Sequence, residues 1–113
     1  MAEIYHMVPA ETWAKVSDAA EYRAESLESE GFIHCTVGER NLLEVAERFY
    51  RDLPGDWLVL VLDPARIRSE VRWAPQPDGL AYPHIHGPLN LDAVAEVRAF
   101  PRDVEGRFLA FRG

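Results

Sequence analysis

The chain carries one cysteine, Cys35, and that scarcity removes two classes of protein at once. A lone thiol cannot close an intrachain disulfide, nor supply the thiolate cluster of a structural zinc site. Apolar stretches are short: the longest, Trp57 to Leu62, has the length of a buried strand and falls far below the roughly 20 residues that cross a bilayer. Glu3 and His6 interrupt the N-terminus, which therefore does not read as a signal peptide, and the expected location is the cytoplasm. Positive charge is sparse, 12 basic residues against 19 acidic, for a formal charge of −7. Such a surface repels phosphate backbones, so general nucleic-acid binding is not expected, and no membrane partner is expected either. The seven glycines are scattered and form no glycine-rich phosphate loop. With no repeat, low-complexity tract or shift in composition, residues 1–113 read as a single domain.

Apolar residues make up 48% of the chain, enough to fill one core. Ile4 to Val8 reads as a first strand, and Pro9 fits the first turn of a short helix, where its missing N–H costs nothing. In that helix Trp13 and Val16 fall three apart and face the core together, and the helix ends before Tyr22. Gly31 introduces Phe32 to Val37, a β-branched and aromatic run of strand character. Thr36 and Glu39 have capping-box spacing ahead of the clearest helix. There Leu42, Leu43, Ala46, Phe49 and Tyr50 form one apolar stripe, and Arg40, Glu44, Glu47, Arg48 and Arg51 cover the other side. Pro54-Gly55-Asp56 turns into the strand Trp57 to Leu62. Asp63-Pro64 breaks it, Val71 to Ala74 gives a shorter strand, and Pro75 to Gly79 is a loop. Tyr82 to Leu89 is extended but holds Pro83, Gly87 and Pro88, which predicts an irregular or edge segment. Ala93 to Phe100 closes the sheet, and Gly106 to Phe111 is a candidate last strand. Trp13, Trp57 and Trp73 are assigned to the core. Helices near the start followed mostly by strands predict an α+β fold with an antiparallel sheet.

The chemically suggestive residues are four histidines, His6, His34, His84 and His86, all in extended segments. Residues two apart on a strand share a face, so His84 and His86 point the same way, and His34 joins Phe32 and Thr36. Three readings follow. The set binds a small-molecule, phosphorylated or nucleotide ligand; or His34, His84 and His86 hold a divalent metal such as zinc; or each imidazole is a satisfied structural group. Ligand binding is the favoured reading. A histidine pair with no carboxylate at matching spacing is a weak metal signature, and no metal is expected. Cys35 points to the face opposite His34 and reads as a core residue, not a nucleophile. Glu28 and Glu30 lie beside a turn and read as a solvated face.

Three stretches carry a further signal: Ile4-Tyr5-His6-Met7, Glu30-Gly31-Phe32-Ile33-His34-Cys35-Thr36 and Tyr82-Pro83-His84-Ile85-His86-Gly87-Pro88-Leu89. Together they resemble the bacterial family called domain of unknown function 952, over nearly the whole chain. That family is similar to the ADP-ribosyltransferase-like fold, which implies a split, mostly antiparallel sheet with two to three short helices and a cleft for NAD. The nearest pattern is that of the RNA 2'-phosphotransferases, with a histidine on the first strand and a His-x-Ser/Thr element on the next. His6 and His34-Cys35-Thr36 match that order. The resemblance implies that His6 contacts the ribose or nicotinamide side of NAD and His34 the phosphate or adenosine side.

The chain departs from the pattern at Met7, where those enzymes place glycine, and nothing matches a final catalytic glutamate. No residue matches their last arginine securely; Arg23, Arg72 and His84 are candidates for it by residue type alone. No counterpart of their extra N-terminal RNA-holding domain is expected. The expectation is a small NAD-utilising or ADP-ribose-handling enzyme acting on a small or phosphorylated acceptor. His6, His34 and His84 are its catalytic candidates; Thr36, Tyr22, Ser26 and His86 are its binding candidates. His6→Ala and His34→Ala are each expected to abolish binding or turnover without unfolding the protein. The alternatives are a non-catalytic nucleotide- or metabolite-binding module and a histidine-based metal-dependent enzyme.

Overall fold

The computed structural model of the chain describes residues 4–75 and 81–111. Its elements run β1 (Ile4–Pro9), α1 (Ala10–Val16), β2 (Glu21–Tyr22), α2 (Glu25–Glu30), β3 (Ile33–His34), α3 (Glu39–Phe49) and β4 (Trp57–Leu62). A 3-10 turn (Pro64–Arg66) leads to β5 (Glu70–Pro75), β6 (Ala81–His86) and β7 (Leu89–Asn90); a second (Leu91–Ala93) leads to β8 (Val94–Phe100). The described strands form three antiparallel sheets ordered β1-β4-β8, β3-β6-β5 and β2-β7. This is an α+β fold, as expected. A pair of backbone hydrogen bonds between Tyr5 and Thr36, each 2.8 Å, ties the first sheet to the β3 segment.

The apolar run of β4 is central in its sheet and feeds two cores by strand alternation. Leu60 and Leu62 pack with Ile4, Val8, Tyr22, Ile33, Ile85 and Leu89. Trp57 and Val59 pack on the other face with Met7, Leu42, Ala46, Phe100, Phe108 and Phe111. Burying each large aliphatic residue here stabilises the fold by about 1.5–3 kcal/mol. Trp13 and Val16 of α1 pack on the first core, as their spacing predicts.

Several expectations are corrected. Pro9 ends β1 and is the N-cap of α1 instead of lying within it. Glu28 and Glu30 belong to a helix, α2, closed by Gly31 at φ 87, a left-handed conformation that glycine adopts without a Cβ clash. The Phe32–Val37 run forms only a two-residue strand, because the chain changes partners: the Cys35 N–H reaches the Pro83 carbonyl (3.0 Å) and Thr36 pairs with Tyr5. Thr36 therefore does not cap α3. Gly38 precedes that helix without a side-chain cap, and the Glu39 carboxylate accepts from the Phe111 N–H instead (3.1 Å).

In α3, Leu42 and Ala46 are buried, while Phe49 is 65% exposed. Tyr50 closes the stripe in its place, its ring 5.2 Å from Trp57. Trp73, assigned to the core, is 54% exposed on the edge strand β5. Residues 106–111 make only an isolated bridge, Phe108 to Arg102, whose guanidinium donates to the carbonyls of Arg51, Leu53, Gly55 and Gly106. Pro75 ends β5, and the remainder of its predicted loop lies outside the described residues.

The segment expected at an edge, Tyr82 to Leu89, instead supplies the central strand β6. Pro83 is tolerated for a geometric reason. The amide nitrogen and carbonyl of one strand residue point to the same neighbour, and the Pro83 carbonyl points to Cys35. Its missing N–H thus falls past the short β3 ladder and leaves the β5 ladder whole. Among the described residues no helix is long and apolar enough to cross a membrane.

Candidate functional site

His6 sits in the middle of β1, opposite Leu60, and is 7% exposed. Its Nδ1 lies 2.6 Å from the His34 carbonyl and its Nε2 3.0 Å from the Tyr22 hydroxyl. A carbonyl only accepts, so Nδ1 carries the proton. Burial lowers the His6 pKa to about 4, so the ring is neutral at pH 7 and Nε2 accepts from the Tyr22 O–H. Burial also pushes the Tyr22 phenol up, which keeps that donor protonated. His6 is thereby a pin joining β1, β2 and β3.

His34 is displayed outward, its side chain 46% exposed and its Nε2 3.0 Å from Glu30 Oε2. The β3–β6 register sets it beside His84, and strand alternation carries His86 to the same face. Phe32 completes a wall of four rings. The His84 ring stacks on Phe32 at 4.0 Å and 9°. His34 meets Phe32 and His84 edge-on at 4.8 and 5.2 Å, and His86 lies 5.4 Å from Phe32. Partial burial, with the charges of His34 and His86, lowers the pKa of His84.

Two adjoining cavities open beside this wall. The larger, about 900 Å³, is lined by His34, Cys35, Thr36, Glu44, Arg48, Phe49, Tyr82 and His84. The smaller, about 580 Å³, is lined by Tyr5, His6, Thr12, Tyr22, Glu25, Ser26, Glu30 and Trp57. His34, Thr36, Val45 and Tyr50 border both. Such volumes lie within the range of small-molecule sites, roughly 300–1,000 Å³.

The predicted residues divide accordingly. His34 and Thr36 stand where the cavities meet, His84 lines the larger, and His6, Tyr22 and Ser26 line the smaller. The Ser26 hydroxyl already donates to the Phe32 carbonyl (2.8 Å). His86 is on the ring wall but lines neither cavity. Arg23 pairs with Glu21 and Arg72 with Glu70, both outside the cavities, so of the three candidates for the last arginine only His84 borders one. Cys35 is buried, and its desolvated thiol is pushed far above its ordinary pKa, as suits a core residue. Among the described residues no three His, Cys, Asp or Glu side chains are arranged to hold a metal ion.

Other cavity residues are not marked as site residues by any motif in the sequence, among them Glu30, Arg48, Phe49, Tyr50 and Tyr82. Tyr82 was within reach, since it stands two residues before His84 and shares its strand face. Arg48, Phe49 and Tyr50 followed the ordinary pattern of an amphipathic helix and gave no such signal.

The profile of a family described as a protein of unknown function (DUF952) matches residues 7–97, and the chain belongs to that family. The X-ray structure of protein CC0527 from Caulobacter crescentus is similar, with TM-score 0.81 and 18% identity over 95% of this chain and 93% of that one. Its solution NMR structure gives 0.75 and 20% identity, over 94% and 90%. At these identities the likeness concerns the fold alone. No curated protein matches the chain.

Proposed function

We propose that this member of the family is a small NAD-utilising or ADP-ribose-handling enzyme of the ADP-ribosyltransferase-like class, with its dinucleotide laid across the two cavities. The observation that carries the reading is their meeting point. His34 and Thr36, the His-x-Thr element of the resemblance, border both cavities, and His6 is hydrogen-bonded directly behind them. The division of the strands into small antiparallel sheets supports the same reading.

NAD supplies a ribose–nicotinamide bond that breaks toward an oxocarbenium-like carbon. The chain's part is placement and electrostatics. The rings of Tyr82, His84 and Phe49, with the Arg48 guanidinium, suit a nucleobase and phosphates in the larger cavity. Hydroxyls of Tyr22 and Thr36 suit the ribose in the smaller one. Glu30 holds the His34 imidazole and places a carboxylate beside developing positive charge. His6 is a positioning residue, because its ring nitrogens are committed to the His34 carbonyl and the Tyr22 hydroxyl. A water or a phosphorylated small molecule is the acceptor.

The test is calorimetric titration with NAD and ADP-ribose on wild type and His34→Ala, with chromatography of released nicotinamide. Because His34 is exposed, the variant is expected to keep its melting temperature and lose about tenfold or more in affinity, the loss of one charge-assisted contact. Wild-type affinity in the variant overturns the assignment. A binding module without turnover is the second reading, favoured by the commitment of both His6 nitrogens inside the protein. Such a module binds under single-turnover conditions but releases no nicotinamide.

A further inference from the structure

We infer that the smaller cavity is a subsite for an organic cation, a compact ammonium or a flat pyridinium, held by aromatic rings and carboxylates. The inference concerns one half of the proposed cleft and holds whether or not the ligand is a dinucleotide.

The lining decides the sign of the ligand. Glu25 and Glu30 are its acidic residues, His6 and His34 its imidazoles, and among the described residues lining it there is no Lys or Arg. The larger cavity differs, since Arg48 stands there with Glu44. Four aromatic side chains, Tyr5, Tyr22, Tyr50 and Trp57, line the smaller cavity, and Tyr22 and Trp57 are buried and fixed. Aromatic rings attract cations through their quadrupole, most strongly where water is thin. Burial keeps the Tyr22 and Tyr50 phenols protonated and His6 neutral, so none of these groups alters the local charge at pH 7.

Glu30 is held in place by its bond to His34 Nε2. A phosphate entering here meets two carboxylates and no guanidinium. A neutral sugar finds hydroxyls but gains nothing from the charge. A cation meets both the rings and the carboxylates, and the −7 charge of the chain draws it in.

The test pairs each cation with a neutral ligand of the same shape. Labelled protein is titrated by NMR, at low salt and pH 7.5, with 1-methylnicotinamide against nicotinamide and with choline against 3,3-dimethylbutanol. The expected result is a preference of about tenfold for at least one cation over its neutral counterpart, with shifts at Tyr22, Tyr50 and the Trp57 indole. Glu30→Gln, at an exposed position, is expected to erase most of that preference and leave the melting temperature unchanged. Preference for 1-methylnicotinamide identifies the pyridinium end of a nicotinamide nucleotide as the source. Preference for choline identifies a free ammonium compound. Equal affinity within both pairs, absence of binding by all four ligands, or an undiminished preference in Glu30→Gln overturns the inference. Cation binding without NAD binding removes the enzyme reading alone, and NAD binding without a cation preference removes the subsite alone.

Discussion

At His6 the protein keeps a neutral imidazole in its interior, donating to one backbone carbonyl and accepting from one phenol. His6→Ala, expected not to unfold the protein, still removes both of those hydrogen bonds and is therefore expected to lower its stability. His6→Phe, which keeps the bulk, strands the Tyr22 hydroxyl and the His34 carbonyl and is expected to cost about 2 kcal/mol in urea unfolding. The depressed pKa also fixes a pH dependence. Between the folded value of about 4 and the unfolded 6.5, the unfolded chain binds more protons, so stability rises with pH. The His6 contribution is fully present above pH 6.5 and is lost as pH falls toward 4, by up to about 3 kcal/mol. Wild type and His6→Phe are therefore expected to converge in stability as pH falls through this window and to cross toward its lower end; a constant gap contradicts the neutral buried ring. Phe49 is the opposite case. Phe49→Ser, at an exposed position, is expected to change stability by no more than about 0.5 kcal/mol and to weaken adenine-nucleotide binding several-fold by calorimetry. Unchanged affinity removes the nucleobase from the larger cavity. The sequence marked His6 by residue type, but its partners Tyr22 and His34 are brought to it by tertiary packing that no local pattern records.

Among the elements, those with long apolar patterns were legible: β1, β4 and α3 lie where their periodicity places them, because each buries its own stripe, and β8 lies where expected although only Phe100 of its apolar residues is buried. The short ones were not. α2 is six residues with no buried side chain, so it has no apolar stripe to read. β6 looked like an edge because of Pro83, and only its register against β3 and β5 shows why proline is harmless there. α2 nevertheless positions Glu30, and its end depends on Gly31 at φ 87. Gly31→Ala meets no neighbouring atom, so its cost is conformational, about 1 kcal/mol in urea unfolding. The Glu30–His34 pair, both half-exposed, adds little to stability, and Glu30→Gln is expected to leave the unfolding midpoint nearly unchanged.

For the molecule as a whole, the site follows from the division of its strands. β1 carries His6 in one sheet; β3 and β6 carry His34 and His84 in another; the Tyr5–Thr36 bridge fastens the two together, and α2 and α3 wall the space beside them. All three histidine-bearing stretches were recognisable in the sequence, and the wall from α3 was not. The central claim is that one ligand spans both cavities across His34 and Thr36. Amide NMR titration of labelled protein with NAD, then ADP-ribose, without added metal, tests it most directly. The account predicts saturable shifts clustered at residues 4–8, 32–37 and 82–87 and along the cavity side of α3, at Val45, Arg48 and Tyr50. Spectra unchanged at millimolar ligand contradict it.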